Sequence, residues 1–476
     1  MKNIRSDKLR TNAILNVIRQ LFSIIFPLIT FPYISRTLGA ECYGKVNYTA
    51  SIISYISLIA GLGITNYAVR EGSRLKDEPV MLERFIKEIF TLNCLALTVA
   101  YVFLAFVVFY YKENHSYQIL LLITSVSVFF TVLGCEWLNV IYEDYLFITV
   151  RYIFFQAISV LLTVVFVKSP EDLFLYALIS QFGTVFANIS NVIHFYKRWK
   201  IKIGIIFDSQ IFSHLKYVLI LFGNSVSMLI YVNSDITLLG IFCGDLEVGL
   251  YSVAVKIYSI VKQLLNAMLI VGVPQMSRWK GKKQKTEVSR QLDSLLSTLL
   301  IFLIPCIVGL FCLSDLAVAL MAGEGYAASG SALKVLSLTL VFSTGVCFYS
   351  NLVLIPNNME KYILWATSIS AILNIVLNSI CIPYFGMIAA ACTTMLSEGF
   401  SVIFMLIVAR KVFFPSVGKT CLQSIVSGII IYACCMLTLS LKMGLIQTII
   451  YSITISGVLW VLYWFAISRF SKRHTV

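Results

Sequence analysis

Long runs of apolar residues recur along almost the whole chain of 476 residues, separated only by short polar segments. Each run has about twenty residues, the length that a helix needs to cross the hydrocarbon core of a bilayer. A β-barrel would instead show segments of roughly ten residues with alternating polarity, whereas these runs are apolar at odd and even positions alike. Hydrophobic residues make up 59% of the sequence and charged residues 13%, which excludes a water-soluble globular protein. The sequence therefore predicts an all-α membrane protein.

The apolar runs predict about fourteen transmembrane helices. The first run follows a basic N-terminus, but it is too long for the apolar region of a signal peptide, so we interpret it as an uncleaved span. The predicted spans are Ala13–Ile34, Val46–Thr65, Ile89–Tyr110, Gln118–Val140, Phe147–Val167, Leu173–Phe195, Tyr217–Phe242, Val248–Val271, Leu292–Leu313, Ala332–Leu354, Tyr362–Ile382, Met387–Val408, Cys421–Leu441 and Leu445–Ile467.

The loops between these spans differ in their content of lysine and arginine, which concentrate on the cytoplasmic side of a membrane. With both termini placed in the cytoplasm, the inside loops carry 26 of the 37 basic residues and the outside loops carry five. A missed or invented span early in the chain would remove this asymmetry. We therefore predict a multi-pass protein with cytoplasmic termini. The same bias, with attraction to anionic membrane lipids, explains the net charge of +14 without nucleic-acid binding.

A turn motif occurs twice and indicates an internal repeat. Leu38-Gly39-Ala40-Glu41-Cys42-Tyr43-Gly44 lies between the first two spans, and Cys243-Gly244-Asp245-Leu246-Glu247-Val248-Gly249 lies between spans seven and eight. A second echo pairs Ser180-Gln181-Phe182 with Ser397-Glu398-Gly399. The repeat predicts two six-helix lobes related by a pseudo-two-fold axis along the membrane normal, with a central cleft suited to alternating access. The predicted domains are residues 1–200, residues 201–411, and an extra helix pair with a basic tail at residues 412–476.

Polar side chains at helical spacing mark candidate walls of this cleft, because ionisable residues inside a bilayer normally face a cavity or a partner. Arginine and lysine among them suit a phosphate or diphosphate. The candidate substrate-binding residues are Asn16, Arg19 and Gln20 in span one, Asn224 in span seven, Lys256 and Lys262 in span eight, and Asn374 in span eleven. The candidate coupling-ion residues are Asp235 in span seven and Glu398 in span twelve.

Each candidate also has a structural interpretation. Arg19 is close enough to the cytoplasmic end to extend its head group into water, and this interpretation is favoured for Arg151. Asp235 could instead form a structural ion pair with a lysine. Glu136 could have either a functional or a structural role. Single asparagines in spans commonly form hydrogen bonds between helices.

The sequence contains no pattern for catalysis, a metal or a cofactor. Most of the twelve cysteines lie inside apolar runs, where they behave as small hydrophobic residues. The four histidines, His115, His194, His214 and His474, lie in loops or at span ends, away from the membrane depth at which base or metal chemistry would need them. We therefore expect a protein that is not an enzyme.

Several motifs resemble those of the polysaccharide-biosynthesis flippase family, a branch of the multidrug/oligosaccharidyl-lipid/polysaccharide exporter superfamily. They are Phe31-Pro32-Tyr33-Ile34-Ser35-Arg36-Thr37-Leu38-Gly39, Gly61-Leu62-Gly63-Ile64 with Arg70-Glu71, and, less specifically, Ala322-Gly323-Glu324-Gly325-Tyr326 and Pro383-Tyr384-Phe385-Gly386. The resemblance covers about Asn12 to Lys411.

This resemblance implies a flippase of the bacterial inner membrane that moves undecaprenyl-diphosphate-linked oligosaccharide units for O-antigen, capsule or exopolysaccharide from the cytoplasmic to the periplasmic side. It implies two six-helix lobes with two extra helices, and a cavity whose basic residues meet the diphosphate. Arg19 and Lys256 fall where such residues would lie. The polymerase and the chain-length regulator of the same pathway are the candidate protein partners.

Two other functions remain as alternatives. A multidrug exporter of the same superfamily would favour an acidic or aromatic cavity for cations. A polysaccharide polymerase or polyprenyl glycosyltransferase would need a large catalytic loop, whereas the loops here are short.

Overall fold

The computed structural model describes residues 2–473 except 202, 207, 209, 271–284 and 442. These described residues are almost entirely helical and contain no strand. In chain order the α-helices are α1 (Lys2–Gly61), α2 (Ile64–Arg74), α3 (Pro79–Tyr110), α4 (His115–Leu133), α5 (Glu136–Ile141), α6 (Tyr145–Phe166), α7 (Leu173–His194), α8 (Ile211–Phe242), α9 (Asp245–Ile270), α10 (Lys285–Cys312), α11 (Ser314–Ala322), α12 (Ser329–Phe348), α13 (Glu360–Ala409), α14 (Gly418–Ser440) and α15 (Leu445–Arg473). The prediction of an all-α membrane protein is confirmed.

Twelve helices in the described part of the chain are long and apolar enough to cross a membrane. Ten of them overlap with one predicted span each, whereas Thr11–Arg74 and Glu360–Ala409 overlap with two predicted spans each. Straight helices of 64 and 50 residues would be about 96 and 75 Å long, far longer than a bilayer core of roughly 30 Å. The total of fourteen crossings stays a prediction, and it differs from twelve only at these two helices.

A glycine interrupts α13 near its middle and folds the helix back on itself. Gly386 has φ 53° and ψ −135°, outside the helical region. Ser370 donates a hydrogen bond to the carbonyl of Ser397 at 2.6 Å, and Thr393 donates one to the Asn378 side chain. Residues on opposite sides of Gly386 therefore face each other, and the two halves are antiparallel.

The longest helix, α1, also has two halves, separated by Gly39 at φ 75° and ψ 170°. The first half follows α6, where Tyr33 donates a hydrogen bond to the carbonyl of Val167 at 2.6 Å. The second half packs on α3, where Asn93 donates to the carbonyl of Ala60 at 2.6 Å. The chain therefore changes partner and direction at Gly39.

Both copies of the repeated turn motif have a glycine with a positive φ angle. Gly39 has φ 75° and Gly244 has φ 86°, values that L-residues with a side chain rarely adopt. In each copy the glycine separates two long helical segments. The similarity that the sequence shows between the two motifs therefore extends to the local fold of the turns.

The chain divides into an N-terminal unit, Met1–Thr237, and a C-terminal unit, Leu238–Val476. In the N-terminal unit a buried apolar cluster joins α2, α3, α5 and the start of α8. In the C-terminal unit the main cluster joins α9, α10, α12 and α13, and α14 packs on both α10 and α15. The predicted three-part division at residues 200 and 411, the axis and the central cleft stay predictions.

The glycine at the start of α2 lies against the backbone of α8. A Cβ atom on Gly63 would lie 2.9 Å from the backbone nitrogen of Phe222, and Gly63 has φ +68°. Close packing against α8 therefore explains the second glycine of the motif Gly61-Leu62-Gly63. Gly61 differs, because a Cβ there would meet nothing within 4 Å.

We expect Gly63→Ala to lower the free energy of unfolding by about 2–4 kcal/mol, since it combines a left-handed backbone with a collision that no side-chain rotation relieves. Thermal unfolding of the purified protein in detergent measures this effect. Gly61→Ala is the matched control and should leave the unfolding temperature unchanged or slightly raised. An unchanged unfolding temperature for Gly63→Ala would contradict the close approach of α2 and α8.

Candidate functional site

In the N-terminal unit, two arginines of membrane helices share one carboxylate. Nη1 of Arg19, on α1, lies 3.0 Å from Oε1 of Glu136. Nη2 of Arg151, on α6, lies 2.7 Å from Oε2 of the same carboxylate. These three residues are called the Arg–Glu–Arg cluster below. Two positive charges face one negative charge, so the cluster carries a net charge of +1.

The carboxylate of this cluster lies just after a break between α4 and α5. Cys135, before Glu136, has a left-handed backbone with φ 41°. Gly134 packs closely on α7, because a Cβ there would lie 2.2 Å from Oδ1 of Asn188. Asn139 donates a hydrogen bond to Oδ1 of Asn191 at 2.8 Å. Contacts with α7 on both sides of Glu136 therefore position its carboxylate.

The two arginines differ in their surroundings. Only 4% of the Arg151 side chain is exposed, and its Nη1 donates a second hydrogen bond to the carbonyl of Ala187 at 3.0 Å. The side chains of Arg19 and Glu136 are 36% and 41% exposed. The expectation that Arg151 extends to the membrane surface is wrong, because the buried carbonyl and Glu136 hold it inside the bundle. Glu136 and Arg151 are thus residues of the candidate site that the sequence did not select.

In the C-terminal unit, two predicted site residues are paired with each other. Nζ of Lys262, on α9, lies 3.1 Å from Oε1 of Glu398, on α13. Their side chains are 30% and 6% exposed, and Nζ of Lys262 lies 5.6 Å from the centre of the Tyr258 ring. Lys262, predicted to bind substrate, and Glu398, predicted to bind the coupling ion, therefore neutralise each other's charge.

Lys256 lies on the same helix as Lys262 but faces a different direction. The two residues are six positions apart, which corresponds to about 240° of rotation around the helix axis beyond one full turn. It is half-buried. Neither an ion pair nor a hydrogen bond joins Lys256 to any residue that the structure describes.

The remaining candidates have varied surroundings. On α1, Asn16 is half-buried and Gln20 is exposed. Asn374 is 1% exposed and accepts a hydrogen bond from Asn378 at 3.1 Å. This bond joins two successive turns of the same helix. Asp235 of α8 is 7% exposed and lies near Tyr55. Asn224 is on α8, and its side chain is outside the described residues.

Metal-ligating residues are not clustered in the described ranges, where no group of three or more His, Cys, Asp or Glu side chains could hold a metal ion. The Arg–Glu–Arg cluster of the N-terminal unit has two guanidinium groups and one carboxylate. Guanidinium groups bind phosphate and carboxylate ligands.

Comparison with known protein families assigns the chain to a family. The model of a family described as "Polysaccharide biosynthesis protein" matches residues 9–280, which is more than half of the sequence. The chain belongs to the polysaccharide biosynthesis protein family. The resemblance carried by the motif that begins at Phe31 is thereby confirmed.

Individual proteins and a solved structure provide further matches. The chain is 25% identical over 393 residues to the putative O-antigen transporter of Shigella dysenteriae, covering 80% of this chain and 95% of that protein. It is 26% identical over 189 residues to a probable low-salt glycan biosynthesis flippase of Haloferax volcanii, covering 40% and 39% of the two chains. The structure of the lipid II flippase MurJ in an inward closed conformation has a TM-score of 0.78 at 18% identity, covering 96% of this chain and 99% of that one. This polysaccharide biosynthesis protein therefore has a MurJ-like fold.

Proposed function

We propose that this protein is a flippase for oligosaccharide units linked to undecaprenyl diphosphate. It moves them from the cytoplasmic to the periplasmic side of the bacterial inner membrane, where they supply O-antigen, capsule or exopolysaccharide synthesis. Membership of the polysaccharide biosynthesis family supports this proposal. So do the two relatives, which are named as a putative O-antigen transporter and a probable glycan biosynthesis flippase.

The observation that carries the proposal is unbalanced positive charge on membrane helices. The Arg–Glu–Arg cluster carries a net +1, and Lys256 has no partner among the described residues. Keeping such charges inside a bilayer costs several kcal/mol. Charged residues at this depth are therefore expected to bind a ligand or an ion. A diphosphate matches this need, since arginine binds it with two parallel hydrogen bonds and lysine binds it as a point charge.

In the proposed cycle, the lipid-linked unit enters from the cytoplasmic leaflet and its diphosphate binds Arg19 and Lys256. The glycan occupies the predicted cleft while the polyprenyl chain stays in lipid. Rocking of the lobes then releases the head group to the periplasmic side. A proton or sodium gradient resets the cycle, with Asp235 or Glu398 as the carrier. At Glu398 this step requires separation from Lys262.

Deletion and complementation test this function. A strain without the gene is expected to lose its surface glycan and to accumulate the lipid-linked unit with its sugars facing the cytoplasm. A plasmid copy of the gene should restore both properties. Loss of resistance to lipophilic cations, with normal surface glycan, would instead identify a multidrug exporter.

A further inference from the structure

We propose that Glu136 is an internal substitute for the substrate phosphate. Glu136 pairs with Arg19 in the structure, and on binding the lipid-linked diphosphate replaces it there while Arg151 keeps its contact with Glu136. This inference rests on the proposed function and deepens it, because it names the residue that tunes the affinity of the anion site.

The first step of the argument is the shared carboxylate. Oε1 of Glu136 contacts Arg19 at 3.0 Å and Oε2 contacts Arg151 at 2.7 Å. Each arginine thus uses a different oxygen. Loss of the Arg19 contact leaves the contact between Glu136 and Arg151 intact, and that remaining pair is neutral.

The second step is the difference in the number of contacts that hold each partner in place. Arg151 is 4% exposed and has a second bond to the carbonyl of Ala187 at 3.0 Å, so it is held by α7 as well as by Glu136. Glu136 itself follows the α4–α5 break, which packs on Asn188. Arg19 is 36% exposed, and Glu136 is the residue with which its Nη1 pairs. Exchange of the ligand therefore requires movement of one side chain, Arg19.

The third step is the energy of the exchange. An arginine without a counter-charge inside a bilayer is costly. A carboxylate and a phosphate offer the guanidinium group similar oxygen pairs. Arg19 therefore has an anionic partner before and after substrate binding. An uncharged lipid head group cannot displace Glu136, so the exchange also selects for an anionic substrate.

Affinity for a lipid diphosphate tests the exchange. The full-length protein in nanodiscs is titrated with geranylgeranyl diphosphate, and with uncharged geranylgeraniol as the comparison, following intrinsic tryptophan fluorescence. We expect Glu136→Gln to bind the diphosphate about tenfold more tightly than the wild type, since the competing anion is gone. Glu136→Asp, which keeps the charge but retracts the carboxylate, should bind roughly two- to fourfold more tightly.

The dependence on Arg19 separates competition from a merely structural role. In an Arg19→Ala background, Glu136→Gln should change the affinity by less than about twofold. Glu143→Gln is the matched control, because the exposed Glu143 pairs with Lys76 at 3.5 Å and its loss changes the net charge equally. That control should bind like the wild type.

Three results would overturn the inference. Unchanged or weaker binding by both Glu136 variants would show that Glu136 does not compete with the ligand. An equal gain in the presence and absence of Arg19 would show that the effect does not pass through Arg19. If the wild type and Arg19→Ala bind the diphosphate no better than the alcohol, the phosphate site of the proposed function fails as well. Normal diphosphate selectivity with unresponsive Glu136 variants refutes the inference alone.

Discussion

Replacement of both Arg19 and Lys256 by alanine is expected to lower surface glycan to about a hundredth of the wild-type amount. A hydrogen bond to a charged group contributes roughly 1.5–3 kcal/mol, and 1.4 kcal/mol corresponds to a factor of ten in an equilibrium constant. Loss of both cations therefore removes two such factors if both bind the diphosphate. Complementation of the deletion strain, with surface glycan quantified on gels and the protein quantified in membranes, measures the effect.

The matched control for this pair is Arg74→Ala with Lys334→Ala, which also removes one arginine and one lysine. Arg74 is 71% exposed in a contact with Glu71, and Lys334 is 38% exposed beside Asp315. This control variant should keep normal surface glycan. Full glycan in the Arg19 and Lys256 double variant would contradict a role for these two residues in phosphate binding.

Lys262→Met is expected to destabilise the C-terminal unit by about 3–5 kcal/mol, because it leaves Glu398 buried without its counter-charge. The Glu398 side chain is 6% exposed and lies 3.1 Å from Lys262. The expected results are a lower unfolding temperature in detergent and less protein in the membrane. Lys334→Met is the control, since the exposed pair of Lys334 and Asp315 contributes at most about 1 kcal/mol.

A second substitution decides whether the Lys262–Glu398 pair has a function besides stability. Lys262→Met combined with Glu398→Gln removes both charges, so we expect most of the lost stability to return. If Lys262 binds substrate or Glu398 carries the coupling ion, this stable double variant should still fail to restore surface glycan. Normal glycan in the double variant would assign the pair to stability and contradict both predicted roles.

The fold was predictable because the signals that specify it are local. A run of about twenty apolar residues must span a bilayer as a helix, since every backbone polar group has to be satisfied within the segment. A glycine within a short polar turn marks a reversal, and Gly39 and Gly244 both adopt a positive φ. The motif that begins at Phe31 was sufficient for the family. Gly386 shows the same principle, since it lies between the two predicted spans that form one helix.

The partners of the charged residues were not predictable in the same way. Sequence spacing placed Arg19, Lys256, Lys262 and Glu398 on membrane helices, but it contains no information on which side of one helix meets which side of another. Lys262 is 136 positions from Glu398. Arg19 is 117 positions from Glu136. The sequence did contain one signal for the Arg–Glu–Arg cluster. Glu136 and Arg151 lie on successive segments of opposite charge, and each needs a counter-charge inside a bilayer.

By itself, the sequence determined that this chain is a membrane-embedded helical protein of the polysaccharide biosynthesis family, because length, polarity and turn chemistry act over a few residues at a time. Only the tertiary structure decided which charged residues pair with each other. Packing of α5 and α6 on α7 buried Arg151 and left Arg19 half exposed, and packing of α9 against α13 neutralised Lys262 with Glu398. Charge balance inside a bilayer depends on contacts between distant helices, and those contacts arise only when the helices are assembled.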